Sequence, residues 1–145
     1  MSAYPSLNTR VIGQTEKSLN AILDRQLAGT GLTEPQWVIL TLAVTSGGTI
    51  QHDQFTGQVA GALKISEAGA QARIAELVTA RHLEASAEAS AVAVTGAARQ
   101  LHGRIRAAIT EITDRLWGDL PAEDLATAGR VLAIVNERAN AELNK

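Results

Sequence analysis

The 145-residue chain contains no cysteine. This absence excludes disulfide bonds, cysteine-ligated zinc, iron–sulfur clusters and catalysis by a thiol. Aromatic residues make up only 3% of the sequence, so the core must consist of leucine, isoleucine, valine and alanine, the last being the strongest helix former. No apolar run approaches the ~18–20 residues of a membrane span, and residues 1–5 lack the basic and apolar regions of a signal peptide. We therefore expect a cytoplasmic protein without a membrane segment.

The sequence also lacks the short motifs of common enzymes. There is no Gly-x-Ser-x-Gly turn, no phosphate-cradling glycine loop and no cysteine nucleophile. The three histidines, His52, His82 and His102, do not have the spacing of metal ligands. We therefore expect no catalytic activity, no metal and no cofactor.

Hydrophobic spacing and capping residues predict four helices in the first half of the chain. Apolar residues at three- and four-residue steps predict a first helix over about Ser6–Ala28. Thr33 and Gln36 have the spacing of a capping box at the start of a second helix. A short extended piece at residues 49–50 precedes a third helix over about 52–63, and Ser66 is a suitable N-cap for a fourth.

The second half of the chain begins with a change of period. Two short alternating runs, 83–86 and 91–94, flank a small polar link at 87–90, which predicts a β-hairpin. Thr95 then caps a long fifth helix, and Pro121 starts a sixth helix that extends to about Leu143. The predicted fold class is therefore mainly α with a small β-hairpin wing.

The long helices at the two ends of the chain carry apolar stripes that need a partner surface. Packing of these stripes across a two-fold axis would give a homodimer, and the alternative is a three-helix packing within one monomer. We assign residues 1–32 and 96–145 to helical dimerisation and residues 33–95 to a separate lobe. The candidate dimer-interface residues are Leu7, Val11, Ile112, Leu116, Trp117, Leu132 and Val135.

Residues 33–95 have the layout of a winged helix–turn–helix, in which the second helix of the pair enters the major groove. At this point the sequence resembles the multiple-antibiotic-resistance regulator (MarR) family over about residues 5–143. Arg81-His82-Leu83 stands where the family usually has Gly-Leu-Ile/Val. The stretches that carry the resemblance are Leu32–Leu40, the Ala70, Ile74 and Leu77 spacing, Val94-Thr95 with Leu101, and Leu120–Leu125.

The resemblance implies a dimeric repressor that binds short palindromic operators. Such regulators often release DNA when a small phenolic or other aromatic compound binds near the junction of the dimer helices and the DNA-binding lobe. We therefore expect double-stranded DNA, a second copy of the chain and a small aromatic ligand as partners.

The charge of the lobe predicts weak DNA binding. Residues 47–98 carry three basic side chains against five acidic ones, and residues 84–90 of the wing contain no arginine or lysine, where the family usually has an arginine. Gln71 is the best candidate for contacting a base edge, while Arg73 could face DNA or support the helix from behind. The candidate DNA-binding residues are Lys64, Ser66, Gln71, Arg73, Ser86 and Ser90.

Three residues are candidates for a ligand pocket. Trp37 is expected in the core, where its ring could also line a pocket. Arg10 could meet a ligand carboxylate or be a solvated charge, and His52 could line the pocket, touch a phosphate or lie at the surface. His102 is expected at the surface beside the fifth helix's apolar seam, with a pH-sensitive dimer contact as the alternative.

Two functional hypotheses follow from the sequence. The first is a MarR-like transcriptional regulator whose affinity for DNA is controlled by a small aromatic ligand. The second is a degenerate family member that binds a small molecule or a protein without recognising an operator, and the absence of lysine and arginine from the wing favours it. A helical dimer with a purely structural role is a third interpretation.

Overall fold

The computed structural model describes residues 3–86 and 90–145 and confirms the predicted fold class. Within these residues the chain is mainly helical with a small antiparallel sheet. The centre of the predicted hairpin link, residues 87–89, lies outside the described residues. The elements are α1 (Thr9–Leu27), α2 (Glu34–Thr45), β1 (Thr49–Gln51), α3 (His52–Leu63), α4 (Glu67–Thr79), β2 (Leu83–Ser86), β3 (Ala91–Val94), α5 (Gly96–Trp117) and α6 (Ala122–Leu143).

Side-chain caps fix where the helices begin. The capping box of α2 is present, since the Thr33 backbone N–H donates to Gln36 Oε1 at 3.0 Å and the Gln36 N–H donates to Thr33 Oγ1 at 3.3 Å. Ser66 Oγ accepts from the Gly69 N–H at 3.0 Å and so caps α4. The prediction for α1 was wrong at its start: the helix begins at Thr9, not Ser6, because the Asn8 side chain accepts from an amide of the first turn.

The sheet joins the hairpin to the segment before α3. Its strand order is β1-β3-β2, with Ile50 opposite Val92 and Leu83 opposite Val94. The extended piece predicted at residues 49–50 is therefore a third strand. Gly48, whose φ of +90° favours glycine, accepts from the Val94 N–H at 2.8 Å, and the Arg99 guanidinium occupies the space that a Cβ at Gly48 would need.

The chain divides into two compact units, Met1–Ala108 and Ile109–Lys145. The first unit contains the hydrophobic core, built mainly from aliphatic side chains together with Phe55 and Trp37. Its largest fully buried side chains are Phe55, Ile39, Leu40, Leu77, Leu83, Val59 and Val92. The second unit consists of the end of α5 and all of α6, and none of its residues is buried. Among the described residues, no helix has the length and hydrophobicity to cross a bilayer.

Candidate nucleic-acid interface and ligand cleft

Helix α4 presents one buried and one exposed face. Ala70, Ile74 and Leu77 recur at four- and three-residue steps and are buried, because this spacing puts them on one side of the helix. Gln71 lies on the exposed side, between exposed alanines and, one turn earlier, Glu67. The exposed alanines of the helix are Ala68, Ala72 and Ala75. The helix that the sequence assigns to the major groove therefore offers one amide, several methyl groups and the carboxylate of the exposed Glu67.

Arg73 takes part in a hydrogen-bonded chain that joins α4 to α2. Its Nη1 lies 3.2 Å from Glu76 Oε1, and Gln36 Nε2 donates to Glu76 Oε2 at 3.4 Å. Gln36 is itself held by the capping box at Thr33. The positive charge of Arg73 is thus offset within its own helix, which favours the supporting role over a free phosphate contact.

The turn between α3 and α4 holds two further DNA-binding candidates. Lys64 follows α3 with a left-handed backbone, φ 57°, and its side chain is exposed. Ser66 is also exposed, and its oxygen is occupied by the Gly69 amide. Both residues precede the first turn of the candidate recognition helix, so their positions are compatible with phosphate contacts. Their role in DNA binding stays a prediction.

The base of the wing is fixed to the start of α3. The His52 N–H donates to the Ser90 carbonyl at 2.8 Å, and Ser90 has a φ of 48°. Ser86 ends β2, and both serines are exposed. No arginine or lysine occurs anywhere from residue 82 to residue 98, while Glu84 is exposed on β2. The part of the wing that the structure describes therefore adds no positive charge for phosphate binding.

A stacked pair of rings lies between α2 and α5. Trp37 is 8% exposed and His102 is 6% exposed, and their ring centroids are 4.6 Å apart at an interplanar angle of 16°. His102 Nε2 forms a hydrogen bond of 3.1 Å with Thr41 Oγ1. Burial lowers the pKa of His102 below its ordinary value of 6.5, and the Arg106 guanidinium lowers it further.

The surface position expected for His102 was therefore wrong. Ala98, His102 and Ile105 are the buried residues of α5. They follow one another at four- and three-residue steps, the spacing of a single helix face. The sequence did not predict this buried face, because its central residue is polar. The spacing of Ala98 and Ile105 around His102 was the signal that could have found it.

The other two ligand-pocket candidates lie elsewhere in the first unit. Arg10 is exposed in the first turn of α1. His52 is half-buried at the start of α3, with its Nδ1 3.8 Å from Asp53 Oδ1. Among the described residues, neither Arg10 nor His52 forms a hydrogen bond or a ring contact with Trp37. The pocket formed by Trp37, Arg10 and His52 therefore stays a prediction.

The first unit also contains an open cleft of about 690 Å³. It lies between the end of α1, the turn from α4 to β2, and the first half of α5. Leu101 and Ile105 supply apolar surface, while Arg81, His82 and Arg104 supply polar groups; Trp37, Arg10 and His52 are not among its lining residues. A volume of ~300–1,000 Å³ is typical of sites for small molecules.

The apolar side chains assigned to a dimer interface are largely uncovered in the single chain. Leu7 is 49% exposed, Trp117 is 41% exposed and Leu132 is 45% exposed. Leu116 and Val135 are exposed as well, whereas Val11 and Ile112 are half-buried. Removal of these apolar side chains from water by a covering surface would stabilise the folded chain. Within the described residues, no group of three or more histidine, aspartate or glutamate side chains is placed to hold a metal ion.

The fold is shared with solved structures of MarR proteins. A MarR protein from Peptoclostridium difficile is 14% identical, with a TM-score of 0.73 and coverage of 98% of this chain and 97% of that chain. NadR in complex with 4-hydroxyphenylacetate is 20% identical, with a TM-score of 0.72 and coverage of 94% and 98%. A MarR-family protein from Mycobacterium tuberculosis in complex with salicylic acid is 18% identical, with a TM-score of 0.61 and coverage of 90% and 99%.

No family model matches the chain, and no curated protein matches it. At identities of 14–20% the structural likeness establishes the fold, which extends over nearly the full length of the chain and of the proteins compared. The winged helix–turn–helix predicted from the order of elements is thus confirmed.

Proposed function

We propose that the chain, which has the fold of MarR-family proteins over nearly its whole length, is a member of that family and a transcriptional regulator. It would bind double-stranded DNA as a homodimer, act as a repressor in the cytoplasm, and respond to a small aromatic ligand. The observation that carries the proposal is the exposed face of α4 on a winged helix–turn–helix.

The exposed face of α4 supports direct contact with base edges. A glutamine can form two hydrogen bonds with adenine in the major groove, and alanine methyl groups can contact the methyl group of thymine. Gln71 and the alanines around it provide this chemistry on one surface. We therefore expect the operator to contain A·T pairs at the positions nearest Gln71.

The exposed apolar side chains support dimerisation. Ile109–Lys145 has no buried residue, and a helix of this kind is stabilised mainly by tertiary packing of its apolar face. A second copy would cover Leu116, Trp117, Leu132 and Val135 across a two-fold axis. Two lobes related in this way would contact two half-sites about 34–36 Å apart, one turn of the duplex.

A second candidate function is supported by the charges of the lobe. Phosphate contacts from lysine and arginine supply most non-specific affinity for DNA. Arg73 is paired with Glu76, and residues 82–98 contain no lysine or arginine. This pattern favours a dimer that binds a small molecule or a protein without recognising an operator.

The ligand part of the proposal is supported by the two ligand-bound structures that share the fold, one with 4-hydroxyphenylacetate and one with salicylic acid. In this chain the Trp37 ring is 8% exposed and stacks on His102 between α2 and α5, so a ligand that contacted the face of Trp37 would have to separate the two rings. A ligand bound there would favour one arrangement of the dimer over another, and so shift the fraction that can bind DNA.

Selection of bound duplexes from a random pool, at low and at moderate salt, separates the two candidate functions. A regulator enriches a palindrome with A·T pairs in each half-site, and its affinity falls steeply as salt rises. Recovery of no sequence at either salt concentration would favour the second function and refute operator recognition.

The variant Gln71→Ala tests the role of α4 on the selected duplex. We expect it to reduce the preference for adenine at one position of each half-site, by about 1–3 kcal/mol. Gln14→Ala, an exposed glutamine on α1, is the matched control and should bind like the parent protein. Equal preference for all bases in the parent protein would contradict the assignment.

A further inference from the structure

We infer that Gln36 and Arg73 form a contact site for a DNA backbone phosphate, and that the carboxylate of Glu76 occupies this site in the free chain. The two donors belong to different helices, α2 and α4, and both meet the same carboxylate. The inference rests on the proposed function in one respect, because it takes the exposed side of α4 as the side that faces DNA. It does not require recognition of an operator.

The two oxygens of Glu76 are shared between the donors. Arg73 Nη1 lies 3.2 Å from Glu76 Oε1 and 3.4 Å from Oε2, and Gln36 Nε2 donates to Oε2 at 3.4 Å. Gln36 and Glu76 are 40 positions apart in the chain, so this contact depends on how α2 and α4 pack. A guanidinium and a side-chain amide are also donors that proteins use to bind phosphate oxygens.

The capping box of α2 sets the direction of the Gln36 amide. Its Oε1 accepts from the Thr33 backbone N–H at 3.0 Å, so the Nε2 group is the end of the amide that is free to donate toward α4. The donor is therefore held in place before any partner arrives. A donor ordered in advance loses little conformational entropy when an anion binds.

The three side chains are accessible to a large partner. Arg73 and Glu76 have side chains that are 50% and 44% exposed, and Gln36 is half-buried beside them. An ion pair with this exposure contributes little to stability, because water screens it. The Glu76 carboxylate can therefore leave the two donors without disturbing the core.

The charges of α4 show what the carboxylate does to the candidate DNA-binding surface. The helix contains one basic residue, Arg73, and two acidic residues, Glu67 and Glu76. Lysine and arginine supply most of the affinity of a protein for phosphates. Because Glu76 pairs with the single guanidinium of the helix, it acts as an internal competitor of DNA and lowers the affinity of the lobe for any duplex.

The experiment measures binding of the full-length protein to a fluorescent DNA duplex of arbitrary sequence over a range of salt concentrations. Glu76→Gln should raise the affinity about tenfold at low salt, because the released guanidinium forms a charge-assisted hydrogen bond with a phosphate. The slope of log affinity against log salt should steepen by about 0.9, the value for one more phosphate contact. Phosphates carry no sequence information, so a second duplex of different sequence should show the same gain.

A double-mutant cycle separates the release of Arg73 from the loss of one negative charge. Adding Arg73→Ala to Glu76→Gln should abolish the gain in affinity. Glu67→Gln is the matched control, because it removes an exposed carboxylate from the same helix and leaves the Arg73–Glu76 pair in place. Its effect on affinity should be equal in the presence and absence of Arg73→Ala. Thermal unfolding checks the fold of each variant, and the midpoints should differ little from that of the parent protein.

A second measurement tests the contacts without DNA. In two-dimensional NMR of the free protein, Glu76→Ala should shift the side-chain amide signals of Gln36 and the Nε–H signal of Arg73. Glu67→Gln should shift neither. Signals that stay unchanged in Glu76→Ala would show that the three side chains do not meet in solution and would overturn the inference.

Three binding results would also overturn it. The first is an affinity and a salt slope of Glu76→Gln equal to those of the parent protein, and the second is a gain that persists after Arg73→Ala. The third is a failure of both the parent and Glu76→Gln to bind any duplex at low salt, since the released guanidinium would then make no phosphate contact.

The same measurements distinguish this inference from the proposed function. Binding by Glu76→Gln but not by the parent protein would support the phosphate site and refute DNA binding by the natural chain. Selection of an operator by the parent protein, with no gain in Glu76→Gln, would support the regulator and refute the phosphate site.

Discussion

The buried histidine of α5 makes the stability of the first unit depend on pH. His102 has a lowered pKa in the folded chain because burial disfavours its charged form, and Arg106 adds to the effect. Between the folded pKa and the unfolded value of about 6.5, the unfolded chain binds a proton that the folded chain does not. The stabilisation associated with neutral, buried His102 is therefore fully present above pH 6.5 and is lost as pH falls toward the folded pKa.

The size of this effect has an upper bound that does not depend on the exact pKa. One histidine exchanges at most one proton, so it can change the free energy of unfolding by no more than about 1.4 kcal/mol per pH unit. The neighbouring groups on α2, the Trp37 ring and the Thr41 hydroxyl, do not titrate in this range. This change in the free energy of unfolding occurs below pH 6.5, where the protonation of carboxylates also begins to affect stability. A variant is therefore needed to isolate the effect of the histidine.

The assay is urea unfolding of the parent protein and of His102→Phe at several pH values from 7.5 down to 5.0. Phenylalanine keeps a ring against Trp37 and removes the titrating group, and the loss of the hydrogen bond to Thr41 should cost about 1 kcal/mol at pH 7.5. The difference between the two proteins should shrink as pH falls. Arg106→Gln should flatten the parent curve, whereas Arg115→Gln, with the same charge change on the same helix, should not. A difference that is constant over this range would refute the reasoning.

Three further predictions follow from other parts of the chain. Leu132→Glu should convert a dimer to a monomer in light scattering, since it places a charge in the proposed interface. The adjacent Ala133→Glu is the control and should leave the dimer intact. A parent protein that is monomeric at micromolar concentration would refute the interface. Glu84→Lys should strengthen DNA binding and steepen the salt dependence by about 0.9 for each new phosphate contact, and an unchanged slope would mean that the wing lies away from phosphates. Gly48→Ala should reduce the free energy of unfolding by about 1–3 kcal/mol because of its positive φ and the guanidinium packed against it. Gly103 lies in the interior of α5, and the space that an added Cβ would occupy is open. Gly103→Ala should therefore raise the free energy of unfolding by up to about 1 kcal/mol. Equal effects of the two glycine changes in denaturant titration would contradict this account.

The elements could be predicted from the sequence because local chemistry sets them. The capping box at Thr33 and the N-cap at Ser66 are formed by residues three positions apart, and the structure contains both. The alternation at 83–86 and 91–94 likewise predicts a hairpin whose strands pair in the structure. The start of α1 differed from the prediction because Asn8 supplies the cap.

The candidate site was harder to predict because it depends on contacts between distant parts of the chain. The Trp37–His102 stack joins α2 to α5, and no local sequence pattern predicts a contact between residues so far apart in the chain. Arg81 drew attention only as a departure from a family pattern, and its left-handed backbone became visible only with the end of α4. Arg73 and Glu76 are three residues apart on one helix, a spacing that brings side chains together, so their ion pair could have been predicted from the sequence.

The absence of buried side chains in Ile109–Lys145 has a consequence for the life of the protein in a cell. A segment without a buried side chain should exchange its amide hydrogens quickly and be cut early by proteases. If pairing covers this segment, newly made subunits would survive in proportion to how soon they meet another copy. Turnover would then remove solitary chains first, and the surviving pool would consist of assembled chains.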